Sequence, residues 1–128
     1  MNDKTTYWVE LSDYDIGTAE ALLNSGKFLY VGFMCHQTIK KIFKAYFIHL
    51  KRDLPPYSHN LSFIATKGDF YNEFDFPQKE FIDQLEPLNT ETRYPLDKER
   101  LLRSLTKEKC KELLHKTNEL QKWIKQKL

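Results

Sequence analysis

Residues 30–51 read YVGFMCHQTIKKIFKAYFIHLK, and this stretch decides the fold. Apolar and aromatic residues occupy most of its positions, which is more than one face of a surface helix needs. A helix that is apolar around so much of its circumference must be covered by neighbours on several sides. The stretch therefore predicts a central helix. Lys40 and Lys44 stand four residues apart on one face of it, with Lys41 beside them.

The remaining helices are predicted from apolar periodicity and from the residues that begin or end helices. Gly26 is expected to cap the first of them, and Ser58 to begin a short third one. Pro77 suits the first turn of a fourth helix, and Thr106 suits the N-cap of a last one. The predicted segments are residues 5–24, 58–68 and 77–86, and a last helix that begins between 97 and 106 and ends near 127.

No strand pattern competes with these helices, because the sequence has no sustained apolar–polar alternation and no Asn-Gly hairpin. Residues 89–96 are expected to form a loop, since Pro95 disfavours helix at the residue before it. The predicted fold is all-α: an antiparallel up-and-down bundle of four to five helices. At 128 residues the chain is expected to form a single domain, residues 1–128.

Composition narrows the classes of protein. The chain is 41% hydrophobic and 30% charged, which is typical of a folded protein rather than a disordered one. Cys35 and Cys110 fit no metal-ligand spacing and are expected to be core residues in a reducing cytoplasm. The first ten residues, MNDKTTYWVE, lack the pattern of a signal peptide, and no long apolar window predicts a membrane span. A cytoplasmic protein without a membrane partner is predicted.

Charge is unevenly distributed although the formal net charge is only +2. Residues 40–52 carry five basic side chains and no acid, whereas residues 69–92 carry seven acids and one lysine. Residues 97–128 again have a basic excess, with ten basic side chains against five acids. Such blocks indicate either a surface for a polyanion, or a protein face that complements another, or solvated helix faces.

The sequence offers few patterns for catalysis. The four histidines (His36, His49, His59 and His115) form no close pair, and there is no HExxH motif and no paired CxxC, so neither a metal nor a cofactor is predicted. A glycine-rich phosphate loop is missing as well. One weak pair remains, Arg52 and His59. An arginine can hold a phosphate, and a histidine can move the proton of a ribose 2′-hydroxyl.

Several stretches of the sequence stand out in order: Trp8, Asp15, Ile16, Ala19, Leu22 and Leu23, then Gln37, Lys41, Lys44 and Ala45, then PYSHNL at 56–61 and TRYP at 92–95. Together they resemble the HEPN family, the "higher eukaryotes and prokaryotes nucleotide-binding" domain, over residues 7–125. The family pattern usually has a glutamate where this chain has Lys40, and small residues where it has His36 and Thr38. Those departures make the face of the second helix more basic.

The resemblance implies a helical bundle that is commonly a homodimer and that works beside a minimal nucleotidyltransferase in a toxin–antitoxin-like system. Some members cut RNA with an arginine and a histidine that have four to six residues between them, in a late helix. Here His115 has no arginine at that spacing. Arg52 and His59 fit the spacing but follow the second helix. The resemblance therefore favours a nucleotide- or RNA-binding module that does not cut, and the chain is not predicted to be an enzyme.

Two alternatives stay open: a metal-independent ribonuclease toxin that uses Arg52 and His59, and a purely structural bundle that dimerises or binds a partner. Each candidate residue also has a structural interpretation, as a helix-start residue, a lysine that snorkels from a buried helix, or part of a loop packed on the bundle. Gln37 is expected to tie helices together as a buried polar group. The candidate nucleotide- or RNA-binding residues are Lys41, Lys44, His59, Arg93 and Tyr94.

Overall fold

The computed structural model describes residues 2–89 and 95–128, and the regular elements within these ranges are all helical. The prediction of an all-α bundle is therefore confirmed. The described residues contain six α-helices rather than four or five, because the last predicted helix is divided at Leu105 and Thr106. The α-helices are α1 (Asp3–Asn24), α2 (Leu29–Lys51), α3 (Leu61–Lys67), α4 (Phe76–Leu85), α5 (Pro95–Ser104) and α6 (Lys107–Lys125), with 3-10 turns at Tyr71–Glu73 and Glu86–Asn89.

Helix α2 is the centre of the bundle and contacts each of the other five α-helices. Helix α1 runs antiparallel to α2, and the Ser12 hydroxyl of α1 donates to the Thr38 carbonyl of α2 at 2.7 Å. Helix α6 runs parallel to α2, since Cys110 near its start lies against the Phe28 carbonyl. The short helices between them return the chain. Within the described ranges, no helix combines the length and the apolarity that crossing a bilayer requires.

An aromatic cluster fills the core beneath α2. The Phe43 ring is fully buried and lies 5.4 Å, centroid to centroid, from both Phe70 and Phe74. Tyr46, one turn further along α2, packs on Phe70 at 4.8 Å. On the far side, Phe74 contacts Trp123 of α6 at 5.4 Å. These rings join α2, α6 and the segment after α3 into one apolar unit.

The start of α3 differs from the prediction. The helix begins at Leu61, and its N-cap is Asn60, whose side-chain oxygen accepts from the Phe63 amide at 2.9 Å. The Glu86 carboxylate accepts from the first two amides of α3, at 2.6 Å from Leu61 and 3.2 Å from Ser62. Ser58 as the N-cap is therefore wrong, because Asn60 and Glu86 together satisfy the orphan amides two residues later. His59 consequently lies in the loop before the helix.

The other predicted helix ends agree with the structure. Gly26 follows the end of α1 with φ of +76°, a conformation that glycine adopts without strain. Gly68 ends α3, and Pro77 stands in the first turn of α4. The Thr106 side chain accepts from the Lys109 amide at 3.1 Å and begins α6. These positions confirm that turn and cap residues mark the boundaries of the bundle.

Two glycines give a matched test of packing. A Cβ on Gly68 would lie 2.5 Å and 2.7 Å from two ring carbons of Phe70, and 3.1 Å from Phe47. Gly68→Ala is therefore expected to lower the free energy of unfolding by ~1–3 kcal/mol through overpacking. A Cβ on the exposed Gly17 of α1 would meet nothing within 4 Å. Gly17→Ala is expected to raise stability by ~0.5–1 kcal/mol, because alanine is the better helix former. Urea denaturation measures both, and equal effects of the two variants would contradict this account of the core.

Candidate functional site

Three basic side chains form a row along one face of α2. His36, Lys40 and Lys44 follow one another at four-residue intervals, which places them on neighbouring turns of the helix. All three are buried, with relative exposures of 0%, 8% and 9%. Lysine is seldom this buried unless it is paired with a carboxylate. The row is therefore the unusual feature of the structure, and it is called the α2 basic row below.

Lys40 has a histidine rather than an acid as its hydrogen-bond partner. Its Nζ lies 3.2 Å from Nδ1 of His59. Because an ammonium can only donate, this contact requires Nδ1 of His59 to be the acceptor. Burial, and then the charges of Lys44 and Lys41, lower the pKa of Lys40 to about 8. Among the side chains that the structure describes, no carboxylate lies within 4.0 Å of its ammonium.

Lys44 is surrounded by aromatic rings. Its Nζ lies 5.2 Å from the centre of the Trp8 ring on α1 and 5.9 Å from that of the Tyr57 ring in the loop before α3. Ring faces attract a cation but leave its charge unneutralised. Burial, and then the charge of Lys41, lower the pKa of Lys44. Within the described ranges, its ammonium also has no carboxylate within salt-bridge distance.

Lys41 differs from its two neighbours because it is paired. Its Nζ lies 2.5 Å from Oδ2 of Asp15, a carboxylate of α1 whose side chain is 7% exposed. This ion pair joins α1 to α2 and neutralises the Lys41 charge. A phosphate contact by Lys41, as the sequence predicts, would have to share the ammonium with Asp15. Among the described side chains, Lys40 and Lys44 are therefore the lysines of this group that have no carboxylate within 4.0 Å.

His36 lies at the inner end of the α2 basic row. Neither ring nitrogen has a hydrogen-bond partner among the described residues, although the ring is fully buried. The backbone of His59 is close enough to influence the ring but lies outside hydrogen-bonding geometry. Burial, followed by the charge of Lys40, lowers the pKa of His36 to about 4. The ring is thus neutral near pH 7 and adds no charge to the site.

Gln37 lies beside the α2 basic row, three residues before Lys40 and four before Lys41. Its Nε2 donates to Oδ1 of Asn89 at 3.1 Å, and this bond connects α2 to the 3-10 turn after α4. Asn89 is itself buried. The side chain of Gln37 is therefore engaged in a contact between α2 and this turn.

Arg52 and His59, the candidate catalytic pair, have different neighbours. Arg52 caps the C-terminus of α2 with φ of +55°, and it lines an open cleft of about 390 Å³ with Asn2, Ile48 and Leu54. His59 does not line this cleft and contacts Lys40 instead. The use of the two residues together in catalysis stays a prediction. Arg93 and Tyr94, predicted to contact the ligand, lie outside the described residues.

A family model, the HEPN domain, matches residues 5–127 of the sequence. The chain belongs to the HEPN domain family. The fold of this HEPN chain is similar to that of a solved structure, a crystal structure of TT1696 from Thermus thermophilus. The TM-score is 0.83 and the sequence identity is 18%. The alignment covers 99% of this chain and 100% of that one. Among curated proteins, none matches this HEPN chain.

Sequence reasoning about this HEPN domain identified Lys44 and His59 as candidates but omitted Lys40 and His36. Two features of the sequence could have indicated them. His36, Lys40 and Lys44 are spaced four residues apart, and Lys40 replaces the glutamate that is usual in the family. The burial of Lys40 and His36 depends on how α1 and the loop before α3 cover α2.

Among the described residues, no three histidine, cysteine or acidic side chains are grouped as metal ligands would be. Cys35 and Cys110 are buried and unbridged, and burial raises the pKa of Cys35 to about 12.

Proposed function

We propose that this HEPN domain binds the phosphate groups of a nucleotide or an RNA at Lys40 and Lys44. The observation that carries the proposal is the burial of two ammonium groups that have no carboxylate partner in the described part of the chain. Burying an uncompensated charge is unfavourable, and proteins accept that cost mainly where the charge acts on a ligand. A phosphate oxygen would supply the missing counter-charge.

The geometry gives each neighbouring residue a role in this proposal. Lysine ammoniums provide point charges with three donors each, which suit the oxygens of a phosphate. His59 orients Lys40 by accepting one of its hydrogens, and Asp15 pairs with the neighbouring Lys41. Arg93 and Tyr94 remain proposed ligand contacts on the basis of the sequence.

Lys44 and Lys51 provide a matched test of the site. Both belong to α2, but Lys51 is exposed and pairs with Asp69, whereas Lys44 is buried. Lys44→Gln is expected to weaken the binding of a labelled single-stranded RNA by ~10-fold or more, since it removes a charged hydrogen bond. The slope of log affinity against log salt should also fall by about 0.7. Fluorescence anisotropy measures both quantities, and equal losses in Lys44→Gln and Lys51→Gln would refute the proposed site.

Phosphate binding should depend on pH through Lys40. In the protein without a ligand, the pKa of Lys40 is lowered to about 8. Its ammonium therefore loses its proton as the pH rises through that value. The affinity for RNA should therefore be highest below pH 8 and should fall above it, and binding near pH 8 should take up protons from the buffer. Isothermal titration calorimetry in buffers of different ionisation enthalpy measures this uptake. A Lys40→Met protein should lose this pH dependence of RNA affinity near pH 8. An unchanged profile in that variant would contradict the assignment of the pH dependence to Lys40.

Partners and compartment complete the proposal on the basis of family membership. We propose a cytoplasmic homodimer that binds its ligand without cutting it and works with a minimal nucleotidyltransferase, as in toxin–antitoxin-like systems. Analytical ultracentrifugation tests the dimer. Incubation of varied RNAs with the protein in EDTA tests the absence of cleavage. Cutting that is lost in His59→Ala would favour the ribonuclease alternative instead.

A further inference from the structure

Tyr57 is the most exposed of the large hydrophobic side chains in the described residues. Other exposed rings exist, such as Tyr14 on α1 and Phe76 on α4. Within the described ranges, neither of those has a lysine over its face. Tyr57 differs because its ring lies 5.9 Å from Nζ of the buried Lys44. Tyr57 therefore places an exposed aromatic ring next to the α2 basic row.

The backbone around Tyr57 is held in place on both sides. Pro55 and Pro56 precede it and have fixed φ angles. The Ser58 amide donates to the Pro56 carbonyl at 3.0 Å, so Tyr57 stands at the apex of a three-residue turn. The Ser58 hydroxyl then accepts from the Asn60 amide at 3.1 Å, next to the capped start of α3. A ring presented from a preorganised turn loses little backbone freedom when a ligand covers it.

Trp8 provides the other aromatic surface near Lys44 but is less accessible. It is partly buried against the core and packs edge-on with Tyr7 at 5.6 Å. Its ring thus forms part of the wall around Lys44. The exposed face of Tyr57 is the one available to a planar group.

From this arrangement we propose that Tyr57 stacks on an unpaired base whose attached phosphate is held by Lys40 and Lys44. The inference rests on the proposed function and narrows the ligand to a nucleotide or single strand with an accessible base. A bare phosphate chain offers no planar face, and the bases of a duplex are already stacked on one another. Stacking on an aromatic ring combined with a basic groove is the usual way in which proteins hold single strands.

The test compares a labelled single-stranded oligouridylate of about ten nucleotides, within the range of known single-strand sites, with an abasic strand of equal length. Tyr57→Ala is expected to weaken oligouridylate binding by about 5- to 150-fold, the range that loss of one stacked base gives. Binding of the abasic strand should be unchanged. Tyr57→Phe should retain binding to both strands, because the ring and not the hydroxyl makes the contact.

Tyr14→Ala is the matched control, since it removes another exposed tyrosine and should change neither affinity. If Tyr57→Ala weakens neither strand while Lys44→Gln weakens both, the stacking inference is overturned and the proposed phosphate site stands. Equal losses for the two strands in Tyr57→Ala would also overturn it. If the wild-type protein binds neither strand and does not bind uridine monophosphate, the proposed function fails and takes this inference with it. Uridine monophosphate as a competitor distinguishes a single-nucleotide site, where it displaces the strand fully, from an extended strand site.

Discussion

Replacement of both Lys40 and Lys44 by methionine is expected to abolish RNA binding while it stabilises the fold. Each lysine offers a charged hydrogen bond of ~1.5–3 kcal/mol, so the double variant should bind at least ~100-fold more weakly. Methionine matches the apolar stem of lysine and removes a buried charge that has no carboxylate partner in the described part of the chain. The free energy of unfolding should therefore rise by ~1–3 kcal/mol. Urea denaturation and anisotropy on one preparation measure the two effects.

Lys40→Glu is a useful companion, because it restores the residue usual in the family pattern. The carboxylate would face Lys44 and Lys41, whose charges now oppose that of Lys40. This variant should also be more stable than the wild type and should bind RNA more weakly. A loss of stability in both variants, with RNA binding retained, would show that the lysines serve the fold rather than a ligand.

Phe43→Ala is expected to cause the largest loss of stability. The ring is fully buried and packs against both Phe70 and Phe74, so its removal leaves a cavity at the centre of the bundle. Substitutions of this kind cost ~3–5 kcal/mol, a large part of the total stability of a domain. The midpoint of urea denaturation should fall accordingly. Phe63→Ala provides the control, because Phe63 is 44% exposed and its removal should change stability by less than ~0.5 kcal/mol. Similar losses in the two variants would contradict this description of the core.

The central helix and most helix ends could be predicted from the sequence, because they depend on local patterns. Residues 30–51 are apolar around most of the helix, so other elements must cover them, whichever elements these are. Gly26, Pro77 and Thr106 act through their own backbone or side-chain chemistry, within three residues of the boundary they mark. The start of α3 was misplaced, since the choice between Ser58 and Asn60 depends on Glu86, a residue distant in the sequence.

The site was less predictable because it depends on tertiary contacts. The sequence gives Lys40, Lys41 and Lys44 the same chemistry, yet only Lys41 lies beside Asp15 in the structure. The contact of His59 with Lys40 depends on the path of the loop before α3. Local patterns carry no information on either. The resemblance to the HEPN family supplied the proposed function class, and the two lysines that have no carboxylate partner in the described residues supplied the proposed location.

The turn between α1 and α2 has a consequence for the order of folding. Gly26 and a hydrogen bond of 2.8 Å from the Lys27 amide to the Leu22 carbonyl close this turn within four residues. Closing so short a loop costs little chain entropy, so we expect the α1–α2 hairpin to form early, before α6 docks from the distant end of the chain. Trp8 and both lysines belong to that hairpin. One wall of the proposed site would then exist on the nascent chain before Tyr57 and α3 complete it.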